Sequence, residues 1–168
     1  IIRADPPFQR IICYHIAPDS TREWELTDAE MTDTLPELDE IDPDTKNLLI
    51  IDDVDCKALN KEDKSRLDRI FGYVSTHQNL SVCLTCQDAF SVPANIRRMC
   101  NVFILWRPTD YDNMAVLSRK AGLHSQDLRN IFENMMPDFH DSLMVDLTDK
   151  SPFPLRKNIF EPIHKSAE

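Results

Sequence analysis

Apolar residues along this chain fall into short continuous runs and into spacings of three and four, the two signatures of buried strands and amphipathic helices. Arg10 to Ile16 (Arg-Ile-Ile-Cys-Tyr-His-Ile) predicts a strand, ended by Ala17-Pro18-Asp19. A short helix is expected from Pro36 through Ile41, with Asp42-Pro43-Asp44 as a turn. The run Asn-Leu-Leu-Ile-Ile-Asp-Asp over 47–53 predicts a strand at 48–52 that is covered on both faces, as in a parallel sheet. Leu67, Ile70, Phe71 and Val74 then mark a helix over 60–75, with Asn60 and Asp63 as its capping signal.

A strand is expected over 80–86, so that 48–86 forms one right-handed βαβ crossover with Gln87 and Asp88 at its end. A short helix after Pro93 leads to a strand at 101–106, closed by Pro108. Helices follow at 111–121 and 125–135, with Gly122 as the C-cap between them. Leu143 to Leu147 reads as a last strand, and Pro152, Pro154 and Pro162 predict an irregular tail. The whole is expected to be one partial domain over 1–168, with an acidic connecting segment at 17–46, a core at 47–148 and the tail at 149–168.

Composition narrows the class. Hydrophobic residues make up 42% of the chain, enough for a core, and no apolar stretch approaches the ~20 residues of a membrane span, so a soluble protein with no membrane partner is expected. The net charge of −10 argues against a generally basic, nucleic-acid-binding surface. Residues 17–46 hold eleven acids against Arg22 and Lys46 and so carry nearly all of the net negative charge, and contact with DNA would come from local clusters such as Arg97-Arg98 or from an assembled ring. Five cysteines, an odd number scattered through apparent strands, suit a reducing compartment. Cys83 and Cys86 stand on opposite faces of their strand and are expected to pack rather than to bind metal.

The chemistry lies at the end of the strand 48–52. It delivers Asp52 and Asp53 to the C-terminal tip of a parallel strand, where open α/β sheets bind ligands. Two adjacent carboxylates are costly to desolvate together, and a divalent cation is their natural companion. This is the form of a Walker B element. Gln87 ends the next strand and would stand beside them, able to sense a γ-phosphate or an attacking water. A phosphate-cradling P-loop needs a glycine pair ahead of Lys and Ser or Thr, and with only Gly72 and Gly122 none can be written here. The start on Ile1 within structured-looking sequence suggests the C-terminal portion of a longer protein.

Four elements in order, Leu48-Leu49-Ile50-Ile51-Asp52-Asp53, His77-x-Asn79-Leu80-Ser81-Val82, Gln87, and Val92-Pro93-x-x-Ile96-Arg97, resemble the genome-packaging ATPases of poxviruses and other large DNA viruses, of the FtsK/HerA branch of P-loop NTPases. The match covers roughly 45–110. It implies an α/β, RecA-like fold with a mainly parallel sheet and flanking helices, and ATP and Mg²⁺ as cofactors. Asp52 would hold the metal, Asp53 would orient and deprotonate the attacking water, and Gln87 would read the γ-phosphate. Arg97 would reach a neighbouring subunit's nucleotide, and His77 would be structural. The family carries Asn two residues after this arginine, where Met99 stands here, so Arg98 is the other choice.

The implied activity is ATP hydrolysis coupled to pulling double-stranded DNA into a viral particle. It would be carried out by a homo-oligomeric ring, a hexamer or pentamer, together with capsid components, in the host cytoplasm, the virus factory or the virion. Three other readings stand beside it. Lys150-Ser151-Pro152-Phe153 mimics the end of a response-regulator receiver, although only one βα unit separates the acid pair from Asp88. Asp53-Val54-Asp55 mimics a haloacid-dehalogenase-like phosphatase, and a non-hydrolysing scaffold subunit is the last alternative.

Overall fold

The computed structural model describes residues 4–18, 28–107, 111–120, 122–148 and 151–164, with the side chains of 114–119 described within the fourth helix. Residues 19–27 of the acidic segment, Pro108 as a strand terminator, Ala121 as a helix end, Lys150 of the receiver-like ending, and 165–168 of the tail lie outside the described residues. The chain divides into two compact units, Ile1–Met99 and Cys100–Glu168.

The first unit is built on a parallel four-stranded sheet of order β2-β1-β3-β4, with β1 at Arg10–Tyr14, β2 at Glu30–Thr32, β3 at Asn47–Ile51 and β4 at Leu80–Leu84. All five residues of β3 are buried, as its unbroken aliphatic run requires of a strand covered on both faces. Its one polar member, Asn47, is fully buried and donates Nδ2 to the carbonyls of Asp42 and Thr45, both at 2.8 Å. These bonds fix the entry into the strand without leaving an unpaired amide.

Strand β2 falls in the segment expected to be only a connection. Its charges concealed it: Glu30 stands on an outer strand and accepts from Arg10 Nε at 3.1 Å and Nη2 at 2.9 Å. Charged side chains are the usual protection of such an edge. The short helix expected from Pro36 through Ile41 is a single 3-10 turn at Leu38–Glu40.

The helix expected over 60–75 begins as read. Helix α1, Lys61–Arg69, is capped by Asn60, whose Oδ1 accepts the Asp63 amide at 2.8 Å. It then widens into a π-turn at Ile70–Val74 and closes in α2, Ser75–His77. The Ser75 hydroxyl donates to the Phe71 carbonyl at 2.9 Å and that of Thr76 to Tyr73 at 2.8 Å, and Gly72 sits within the widened turn. Hydroxyls competing for helical carbonyls account for the local loosening. Leu67, Ile70, Phe71 and Val74 are all buried, as their spacing predicts.

Strand β4 stops at Leu84, and its residues alternate in exposure, because it is the outer strand of this sheet. That corrects the expectation for Cys83, which is exposed rather than packed, while Cys13 and Cys56 are the buried thiols. Helix α3, Ala94–Met99, completes the unit.

The second unit carries an antiparallel sheet of order β5-β6-β7-β8: Val102–Trp106, Ser142–Asp146, Leu155–Lys157 and Glu161–Pro162. Helices α4 (Tyr111–Lys120) and α5 (Ser125–Met135) lie between β5 and β6, and Gly122 adopts the left-handed φ of 65° that suits it to the break between them. Leu128, Phe132, Met136, Leu143, Val145 and Leu155 are the most deeply buried apolar residues described in this unit. Arg107 Nη2 donates to the carbonyls of Phe132 and Met136, satisfying groups that the end of α5 leaves open.

The tail expected to be irregular instead supplies β7 and β8. Its prolines fall where they do no harm: Pro154 precedes β7 and still offers its carbonyl to the Asp146 amide at 2.8 Å, and Pro162 sits on the outermost strand. Among the described residues no helix is long and apolar enough to cross a membrane.

Candidate functional site

The parallel register of β3 against β4 aligns Ile51 with Leu84, which leaves Asp52 and Asp53 emerging beside Thr85 and its neighbours at the carboxyl ends of both strands. The backbone sets the geometry first. The Asp52 amide donates to the Tyr14 carbonyl at 2.9 Å on one side, and the Thr85 amide donates to the Ile51 carbonyl at 2.9 Å on the other. The tip of β3 is therefore held from both flanking strands.

Asp53 then turns sharply, with φ of 47°. A left-handed conformation costs an L-residue roughly 1–2 kcal/mol, and aspartate is among the few that adopt it readily. Backbone in such a region collects at functional sites. The turn brings the Asp53 carboxylate to Gln87, whose Nε2 donates to Oδ1 at 3.0 Å and to Oδ2 at 3.2 Å. The acid and the amide singled out in the sequence, 34 residues apart, are thus in direct contact.

Asp52 is half-buried, and its Oδ1 accepts the Thr85 hydroxyl at 2.8 Å. Its charge adds to the burial that pushes the Cys13 thiol up to about 11. Among the described residues no three His, Cys, Asp or Glu side chains converge as a ready-made metal cage. A Mg²⁺ ion needs no such cage, since it keeps several waters and takes one or two carboxylates plus phosphate oxygens. The single oriented carboxylate of Asp52 fits that requirement.

An open cleft of about 330 Å³ lies against the pair, lined by Asp53, Val54, Asp55, Lys57, Gln87, Asp88 and Ser91. The loop on its far side is shaped by Asp88, whose Oδ1 accepts the Phe90 amide at 2.8 Å and whose carbonyl accepts the Ser91 amide at 3.0 Å. Lys57 Nζ stands 3.5 Å from Asp88 Oδ2 in an exposed pair.

Arg97 faces the same loop. Its Nη1 donates to the carbonyl of Ala89 at 2.8 Å and to that of Val92, and its guanidinium lies 6.0 Å from the centre of the Phe90 ring. Arg98, the other candidate, follows it on α3 and is exposed. His77 ends α2 on the surface, its ring 4.6 Å from that of Tyr73.

Sequence reasoning passed over Thr85 and Lys57. The signal for Thr85 was available, since it lies two residues before Gln87 and one residue past a strand whose register could be set against β3. A lone threonine in a strand is too ordinary to have drawn notice.

The first unit thus carries an acid pair at the carboxyl edge of a parallel sheet, with Gln87 beside it from the segment that follows the adjacent strand. The chain has the fold of the DNA-packaging ATPase B204 from Sulfolobus turreted icosahedral virus, with a TM-score of 0.62 at 11% identity over 94% of this chain and 84% of that one. The genome-packaging NTPase of Sulfolobus turreted icosahedral virus 2 in complex with AMPPCP matches with a TM-score of 0.60 at 13% identity, over 96% and 86%. The same NTPase in complex with ATP-gammaS matches at 0.53 and 10% identity, over 92% and 83%. No protein-family model and no curated protein sequence matches the chain. The fold implied by the motifs of 45–110 and the fold of these solved structures therefore agree.

Proposed function

We propose that this chain carries the metal-holding and water-activating part of an ATP-driven motor that draws double-stranded DNA into a viral particle. The observation that supports it most is the bond from Gln87 to both carboxylate oxygens of Asp53, at the carboxyl edge of a parallel sheet. In a nucleotide hydrolase little covalent work falls to the protein, and positioning with electrostatic stabilisation supplies the rate.

Asp52 would hold Mg²⁺, directly or through water, and the ion would neutralise charge on the β- and γ-phosphate oxygens when bound. Asp53 takes the proton of the attacking water. Gln87 holds that carboxylate at a fixed angle and offers its amide to the γ-phosphate side of the cleft. Arg97, or Arg98 beside it, extends a fixed positive charge toward the nucleotide of a neighbouring subunit in a hexameric or pentameric ring. For Arg97 this exchanges its bonds to Ala89 and Val92 for phosphate oxygens.

DNA is gripped through its phosphates, without reading of sequence, and capsid components dock the ring in the host cytoplasm, the virus factory or the virion. A receiver-like reading is not supported, because such domains keep one parallel sheet throughout while β5 to β8 are antiparallel. ATP hydrolysis by the complete protein, measured with and without duplex DNA across a salt series, tests the proposal. Turnover is expected to rise with DNA at low salt and to lose that rise as salt increases. Hydrolysis indifferent to DNA at every salt concentration contradicts the translocation reading, and no hydrolysis at all favours the scaffold.

A further inference from the structure

Thr85 stands where both acids are anchored. One hydroxyl accepts the backbone amide of Asp53 at 2.7 Å and donates to Asp52 Oδ1 at 2.8 Å. A threonine hydroxyl has a single proton to give and lone pairs to receive with, so both bonds are compatible, and each polarises the other. The backbone of the same residue closes the frame: its amide donates to Ile51 and its carbonyl accepts the Val54 amide at 3.3 Å. Four bonds thus run between one residue of β4's end and the segment 51–54.

We propose that Thr85 is a positioning residue for hydrolysis, setting the carboxylate of Asp52 directly and that of Asp53 through its backbone. This rests on the reading of Asp52 and Asp53 given above. The left-handed turn at Asp53 is what aims its side chain at Gln87, and the amide on the inner side of that turn is the one Thr85 accepts. Without the hydroxyl, the Asp53 amide loses its bond to Thr85, the turn loses that restraint, and Asp52 Oδ1 loses a donor. Thr85 touches no reacting atom, so it acts only through the two acids.

Thr85→Val keeps the β-branched shape and removes the hydroxyl, and Thr85→Ser keeps the hydroxyl. Both are made in the complete protein beside Asp53→Asn. In Thr85→Val, kcat is expected to fall roughly 10- to 100-fold, with a higher Mg²⁺ concentration needed for half-maximal activity. KM for ATP is expected to stay within roughly threefold, and Thr85→Ser to restore kcat to the same margin. The readout independent of activity is amide exchange: the Asp53 amide should exchange roughly tenfold faster in Thr85→Val, while that of Val54, bonded to the Thr85 carbonyl, keeps its rate.

Wild-type kcat in Thr85→Val, an unaltered Asp53 amide, or a serine variant as impaired as the valine one overturns the proposal. Should the valine variant not fold, Thr85→Ala is read by the same criteria. If Asp53→Asn keeps full turnover, the functional reading of the acids fails instead, and the exchange rate of the Asp53 amide still decides whether Thr85 restrains it.

Discussion

Gln87 places its amide nitrogen 3.0 Å from Oδ1 and 3.2 Å from Oδ2 of Asp53, although the two residues follow different strands of the sheet. Only a parallel pairing of β3 with β4 brings their carboxyl ends together in this way, and the observed register from Asn47↔Leu80 to Ile51↔Leu84 does so. The left-handed turn at Asp53 supplies the rest, because an extended backbone there would send alternate side chains to opposite faces.

Arg97 separates two ways of working. It holds the carbonyls of Ala89 and Val92 in its own chain, and the proposed motor asks it to serve a neighbour. Arg97→Ala is expected to lower turnover by at least roughly tenfold, and mixing it with Asp53→Asn subunits, which keep the arginine, should restore part of the loss. Turnover measured across mixing ratios reads this out. A loss that mixing never repairs assigns Arg97 to bracing the 88–92 loop and leaves the inter-subunit role to Arg98.

Acid should loosen the second unit by an identifiable route. Asp141 is buried; bonds from Asn158 Nδ2 at 2.8 Å and Lys157 Nζ at 2.9 Å hold its carboxyl below the ordinary range. Asp146 is held low in the same sense, first by the Thr148 hydroxyl and amide and then by Arg156. A carboxyl lowered by folding gives stability that is fully present above its unfolded value of ~3.9 and is lost as pH falls through the folded value. Urea midpoints for residues 100–168, followed from about pH 6 downward, should therefore stay level and then drop below about pH 4. Asp141→Asn should start lower, and its gap from the wild type should narrow in acid. Parallel curves contradict the assignment.

Much of this arrangement was legible before the structure. The aliphatic run of β3, the crossover to β4, the cap at Asn60 and the bounds of α5 follow from period and capping chemistry alone, since local and global preferences agree there. Strand β2 was hidden because it is only three residues long, carries a charge and a hydroxyl, and pairs with β1 far back in the chain. Strands β7 and β8 were hidden because proline normally argues against a strand, whereas here Pro154 lies just ahead of β7 and Pro162 falls on the outermost strand β8. The π-turn at 70–74 conflicts with nothing in the apolar spacing, so periodicity could not reveal it. At the site, the acids and Gln87 announced themselves by chemistry. Thr85 did not, because its importance lies in where its hydroxyl points, which register and backbone turn decide together.

Asp53 is the residue proposed to act as the base that activates water in ATP hydrolysis. Asp53→Asn tests it most directly, since asparagine also accepts the left-handed conformation and nearly preserves the size of the side chain. In the complete protein, steady-state turnover of this variant is expected to fall by at least roughly a hundredfold while its affinity for ATP stays at the wild-type value. Hydrolysis at the wild-type rate would contradict the account.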